Sequence, residues 1–240
     1  MSALEAIRRG HQVVGTARNL ADLHDIDGLA AALRLDVTDP RSIEAAIRDA
    51  GELDALISNA GVTTSGPVET VPLSEFSRLF EINTLGALRV TQPLIARFRR
   101  QGHGRVIFLS SILGQIAMPF KAPYAASKFA LEAIAESLAE ETKEFGLHVS
   151  LIEPGPVSGT AGRANGANFF SANDPYQHLF DTGPSGAQLD TAAVTVEEVA
   201  RKVVDTLEAD SPALHVPVGT LAVDLFTKKY SGSEAAFSGR

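Results

Sequence analysis

Short apolar, β-branched runs alternate with helix-period segments along nearly the whole chain, and that alternation leaves few folds open. Runs at 12–16, 33–35, 55–58, 106–110, 149–153 and 214–216 read as strands. Several are apolar without a break, as parallel strands covered on both faces must be. Helical patterns at 40–50, 73–99, 122–145 and 196–208 fill the intervals. Asp39 stands as an N-cap before Pro40, Gly146 ends the third pattern, and Pro93 inside the second predicts a bend. The order predicts an α/β fold, a Rossmann-like doubly wound parallel sheet in a single domain over 1–240. Ligands on such sheets sit beyond the carboxyl ends of the strands, so the residues following each strand are where chemistry is expected.

Composition narrows the function classes. A net charge of −8 argues against nonspecific binding to nucleic acid or an anionic membrane. The chain has no cysteine, which excludes disulfides, thiolate catalysis and thiolate metal ligands. No apolar run reaches the roughly 18 residues of a transmembrane helix. Met1-Ser2-Ala3-Leu4-Glu5 carries no apolar leader, and a cytoplasmic location is expected. The six histidines are scattered without an HxxxH pair, so no metal site is expected.

Tyr124 and Lys128 stand four residues apart at the start of a predicted helix, which puts phenol and ammonium on one face. An unperturbed phenol, with a pKa of about 10, is a poor base near neutrality. A nearby ammonium favours the phenolate, and the pair then suits proton exchange with an alcohol/ketone couple. The spacing alone is a common accident. Ser110 and Ser111 close a strand upstream, where a hydroxyl can steady a substrate oxygen. Asn83 lies inside a long helix, a position its modest helix propensity does not explain, and a polar task such as holding a water beside Lys128 is expected.

With these residues in order, the chain resembles the short-chain dehydrogenase/reductase family. The likeness runs from about Ser2 to about Val218 and rests on Asn59-Ala60-Gly61, Asn83, Ser111, Tyr124 with Lys128, and Pro154-Gly155. The stretch from Ser111 to Glu132 looks most like the steroid and retinol dehydrogenases of that family. The resemblance implies an oxidoreductase that interconverts an alcohol and a ketone or aldehyde by hydride transfer. It implies Tyr124 as acid/base, Ser111 as orienter of the substrate oxygen, Lys128 on the tyrosine and the nicotinamide ribose, and Asn83 in a proton relay. It places Asp36 and Val37 at the adenine, Asn59, Ala60 and Gly61 along the cofactor, and Pro154, Gly155 and Val157 at the nicotinamide. The segment Val14-Gly15-Thr16-Ala17-Arg18 ends without the acidic residue of NAD-preferring members. Arg18 suits a 2′-phosphate, so NADP(H) is expected over NAD(H).

The family's opening strand and its Thr-Gly-x-x-x-Gly-x-Gly turn have no counterpart, since residues 2–10 look like the helix that follows that turn. Two parallel strand edges are then expected to lack a partner, and dinucleotide binding to be impaired. An upstream start codon would restore the segment. A catalytically silent relative acting as a binding or regulatory subunit is the alternative reading. Thr160 falls one place later than the threonine of many relatives. Residues 155–191 are expected to form a substrate lid with an apolar underside, because they carry Phe169, Phe170, Tyr176, Leu179 and Phe180. A surface excursion with its own small aromatic cluster competes with that reading. Residues 231–240 are expected to be a frayed tail. An apolar alcohol or ketone substrate and a homodimer or homotetramer, paired through the helices at 73–99 and 122–145, complete the expectations.

Overall fold

The computed structural model describes residues 1–159, 166–182 and 193–231. Thr160, parts of the expected lid and nearly all of the expected tail lie outside the described residues. Helix α1 (Ser2–Arg8) leads to β1 (Val14–Ala17) and β2 (Ala31–Arg34). Helix α2 (Pro40–Asp49) follows, with the Asp39 side chain accepting from the Arg41 amide as its cap. Strand β3 (Ala55–Ser58) and the short β4 (Thr64–Ser65) precede α3 (Leu73–Leu79), a π-helical segment (Phe80–Gly86) and α4 (Ala87–Gln101). Then come β5 (Gly104–Leu109), α5 (Ala122–Thr142), β6 (Leu147–Pro154) and the short β7 (Ala167–Asn168). Helices α6 (Gln177–Thr182) and α7 (Val196–Glu208), β8 (His215–Val218) and α8 (Thr220–Ser231) complete the order.

All strand pairings between named strands are parallel. The main sheet runs β3-β5-β6-β8, so β5 and β6 are central and covered on both faces. One face packs Phe98 of α4 and Leu131, Ala135 and Leu138 of α5 against Val106, Phe108, Val149 and Leu151. The other packs Val199 and Val203 of α7 against Ile107 and Ile152. This double cover is why apolar side chains of these strands are buried on both faces, Val106, Ile107 and Phe108 in succession.

Strands β1 and β2 form a separate sheet. Among the described residues no strand pairs with the other edge of β1 or of β3. Val13, Val14, Gly15 and Thr16 line the same cleft as Ala55, Leu56 and Ile57, so the two unpaired edges share a gap. That is the arrangement expected where the opening strand of the resemblance has no counterpart.

The helix expected over 73–99 is corrected in its interior. Residues Phe80–Gly86 widen into a π-helix, and α-helical bonding resumes at Ala87. The cause is tertiary. Asn83 in this stretch is buried, and its side chain reaches the loop after β3 rather than its own helix. Helix α8 was not expected from the sequence. Leu221, Leu225 and Phe226 supply its helix-period signal, and Lys228 and Lys229 suit its last turn.

Candidate active site

Strand β5 stops at Leu109 near the middle of the sheet, and Ser110 and Ser111 continue beyond it. Helix α5 crosses that strand end with Tyr124, Lys128 and Glu132 at four-residue intervals on one face. The three side chains meet three consecutive residues. The Ser111 hydroxyl is hydrogen-bonded to Tyr124. The Lys128 Nζ donates to the Leu109 carbonyl at 2.6 Å, and the Ser110 hydroxyl donates to Glu132.

Burial governs the electrostatics here. It pushes the Tyr124 phenol above its ordinary value, and the bond from Ser111 draws it partly back. Burial pulls the Lys128 ammonium down to about 8, with Glu132 opposing. Lys128 lies 5.9 Å from the centroid of the Tyr124 ring. The expected lowering of the tyrosine by Lys128 is not found in this arrangement: burial raises the phenol and Ser111 alone opposes it.

Asn83 is wholly buried. Its Oδ1 accepts from the Val62 amide at 2.8 Å, and its Nδ2 donates to the Val62 carbonyl and the Ser127 hydroxyl, each at 2.9 Å. It thereby ties the loop after β3 to the base of α5. A Cβ at Gly61 would lie 3.4 Å from Asn83 Oδ1 and 3.8 Å from Lys128 Nζ, so the bare glycine lets this backbone approach the Tyr124 and Lys128 face of α5.

Arg18, Asp36, Val37, Asn59, Ala60, Gly61, Pro154, Gly155 and Val157 line one cleft of about 2300 Å³ together with Ser111, Tyr124 and Lys128. All of them follow or close strand ends. Arg18 is exposed at the end of β1. The Asp36 carboxylate accepts from the Thr38 amide and hydroxyl, which with nearby Arg18 and Arg34 hold it below its ordinary pKa. Val37 is buried and packs with Ile43 and Val90, so it serves the core as well as the cleft wall. Val157 bridges to Val194.

The aromatic residues of 166–182 have another partner than the one expected. Phe170 and Phe180 lie 5.2 and 5.8 Å from the Phe120 ring and 4.7 Å from each other. Tyr176 lies 6.4 Å from Phe120 and donates to Glu69. None of the three lines the cleft. They bury one another over Phe120, whose φ of 65° turns the chain there. Leu113, Ile116, Met118, Leu221 and Leu225 are instead among the apolar residues that line the cleft.

Sequence reasoning did not find the buried group behind the site. Glu132, Glu153, Gln115 and His215 converge beneath Ser110. Glu132 was within reach, because it continues the interval of Tyr124 and Lys128 by one more turn.

The family model described as short chain dehydrogenase matches residues 2–168. The chain belongs to the short chain dehydrogenase family. It is 36% identical over 168 residues to the uncharacterized oxidoreductase YusZ of Bacillus subtilis, an alignment covering 68% of this chain and 60% of that protein. It is 34% identical over 160 residues to retinol dehydrogenase 8 of Bos taurus, covering 62% of this chain and 51% of the relative. The matched part thus spans less than two thirds of either relative. A short-chain dehydrogenase structure from Streptomyces avermitilis superposes with a TM-score of 0.84 at 32% identity, covering 98% of this chain and 88% of that one.

Proposed function

We propose that this short chain dehydrogenase is an NADP(H)-dependent oxidoreductase that interconverts an alcohol and a ketone or aldehyde, with Tyr124 as acid/base. The observation that carries the reading is the convergence of Ser111, Tyr124 and Lys128 on one wall of a cleft beyond the strand ends. Asn59, Ala60, Gly61, Pro154, Gly155 and Val157 would hold a nicotinamide cofactor, which would supply or accept the hydride when bound. Tyr124 gives its hydroxyl proton to the carbonyl oxygen in reduction and takes it back in oxidation. Ser111, beside that phenol, would turn its hydroxyl proton to the same oxygen and orient it. Lys128 would supply positive charge near Tyr124 and hold the nicotinamide ribose. Asn83 keeps the loop after β3 against α5, so Asn59, Ala60 and Gly61 keep their place along the cofactor.

NADP(H) is favoured over NAD(H) because β1 ends in Ala17 and Arg18 with no carboxylate, and Arg18 is exposed to pair with a 2′-phosphate. An apolar substrate is favoured by Leu113, Ile116, Met118, Leu221 and Leu225. No helix among the described residues is long and apolar enough to cross a membrane. The unpaired edges of β1 and β3 among the described residues favour a second reading, a catalytically silent subunit. A screen of apolar ketones and alcohols with NADPH and NADP+ separates the two. Turnover lost in Tyr124→Phe supports the enzyme. Activity confined to small charged keto acids contradicts the substrate class.

A further inference from the structure

Behind the site lies a group of side chains that the proposed reaction leaves unexplained. Glu132 is 3% exposed and Glu153 not at all, yet the two carboxyls adjoin one another. Two buried carboxylates side by side repel, and neither can shed its charge to water. Their donors can be counted. The Ser110 hydroxyl donates to Glu132 Oε1. The Gln115 Nε2 donates to Glu132 Oε2 and to Glu153 Oε1, each at 2.9 Å. The His215 Nδ1 lies 3.1 Å from Glu153 Oε1. Glu153 Oε2 is buried and has no donor.

The orientation of Gln115 decides what can sit between the acids. Its Oε1 accepts from the Lys229 Nζ at 2.9 Å and the Tyr230 hydroxyl at 2.8 Å. The amide nitrogen must therefore face the carboxyls. A metal ion among Glu132, Glu153 and His215 would meet those N–H groups head-on. A proton on one carboxyl meets no such conflict, removes the repulsion and supplies the missing donor to the pair.

We propose that Glu132 and Glu153 share a single proton and act as positioning residues that hold the Leu109–Ser111 strand end against the catalytic face of α5. The inference rests on the reading of Ser111, Tyr124 and Lys128 as the reacting site. Leu109, Ser110 and Ser111 are each held by one residue of the stripe Lys128, Glu132 and Tyr124. The fit is tight, since a Cβ at Gly114 would come within 2.8 Å of Glu132 Oε1 and 2.9 Å of Ser110 Oγ. The charged and titratable groups around Glu132 are Lys128 on its own helix, Glu153, His215 with its neighbour Glu136, and Lys229 and Tyr230 behind Gln115. Burial first and Glu153 second raise the Glu132 carboxyl well above the ordinary carboxylate range, in agreement with the geometry.

The experiment titrates carbon-13-labelled glutamate carboxyls from about pH 4 to about pH 10 in the unmutated chain, Glu132→Gln and Glu153→Gln, and follows the melting temperature of each. Gln at 132 copies a protonated carboxyl in shape and donor. We expect one glutamate to keep its proton past neutrality and its signal to vanish in Glu132→Gln. A carboxyl pKa raised by folding stabilises at low pH, and that stabilisation is lost as pH rises through the folded pKa. The melting temperature of Glu132→Gln should therefore gain on the unmutated chain as pH rises. Glutamates all ionised at neutral pH overturn the proposal, as does zinc or manganese that raises the melting temperature of the unmutated chain but not of Glu153→Gln. In turnover, Glu132→Ala should lower kcat by about tenfold or more at unchanged KM for NADPH, with Glu132→Gln restoring most of it. Loss of KM alone, or no rescue by Gln, overturns the positioning role. An unmutated chain that binds NADPH and shows no turnover refutes the oxidoreductase reading instead, and the carboxyl titration still decides the proton.

Discussion

At the scale of single residues, the account makes Tyr124 and Lys128 distinguishable by mutation. Tyr124→Phe removes a proton and almost no volume. Its turnover should fall by roughly 10²–10⁴ with NADPH binding intact, as calorimetry and initial rates together would show. Lys128→Ala should damage both. Because burial brings the Lys128 pKa from 10.5 down to about 8, the unfolded chain binds the extra proton between those values. Stability from this residue is thus full above about pH 10.5 and is lost as pH falls through about 8. Lys128→Met should flatten that slope in chemical denaturation. Replacing Arg18 with Ala should weaken NADPH by about 1–3 kcal/mol and leave NADH nearly unchanged. Equal losses would refute the phosphate assignment. Tyr124, Lys128 and Ser111 were legible because spacing along a helix and position after a strand are properties of sequence. Glu153, Gln115 and His215 were not, since they come from three distant elements and meet only through the order of the sheet.

At the scale of elements, capping and periodicity were readable and tertiary distortion was not. Asp39 and the range Val196–Glu208 stand where the sequence placed them, and Thr195 and Glu198 complete a capping box before α7. Thr195→Ala should cost about 1 kcal/mol in a urea midpoint. The π-helical segment gives no local signal, because Asn83 is turned by partners on the β3 loop and α5. Such segments occur often at functional sites. Asn83→Ala leaves the Val62 amide and carbonyl without that partner and should destabilise the fold by roughly 2–3 kcal/mol or more. It should also lower turnover. A stable variant with intact activity would mean the loop after β3 does not depend on Asn83. The aromatic run at 169–180 was visible in the sequence, but its contact with Phe120 rather than the cleft depends on a left-handed turn at that phenylalanine.

At the scale of the whole molecule, the parallel order and the strand-end site follow from the βαβα alternation, whereas the gap between β1 and β3 was expected only through the family resemblance. Unpaired edges are templates for other chains, so the 240-residue chain should melt early and associate through them. Joining a strand and a glycine-rich turn ahead of Met1 should tighten NADPH by more than about a hundredfold, because two charge-assisted hydrogen bonds at about 1.5–3 kcal/mol each exceed that factor. Equal affinities would mean other residues cradle the diphosphate. The face of α5 that exposes Phe129, together with α4, is the surface through which we expect a homodimer or homotetramer, and sedimentation as a monomer at micromolar concentration contradicts it. The most direct test of the central claim is the rate of NADPH oxidation by an apolar ketone or aldehyde, at saturating NADPH, in the unmutated chain and in Tyr124→Phe. The account predicts turnover in the first and almost none in the second. Equal rates in the two, or no turnover in a chain that binds NADPH well, would contradict it.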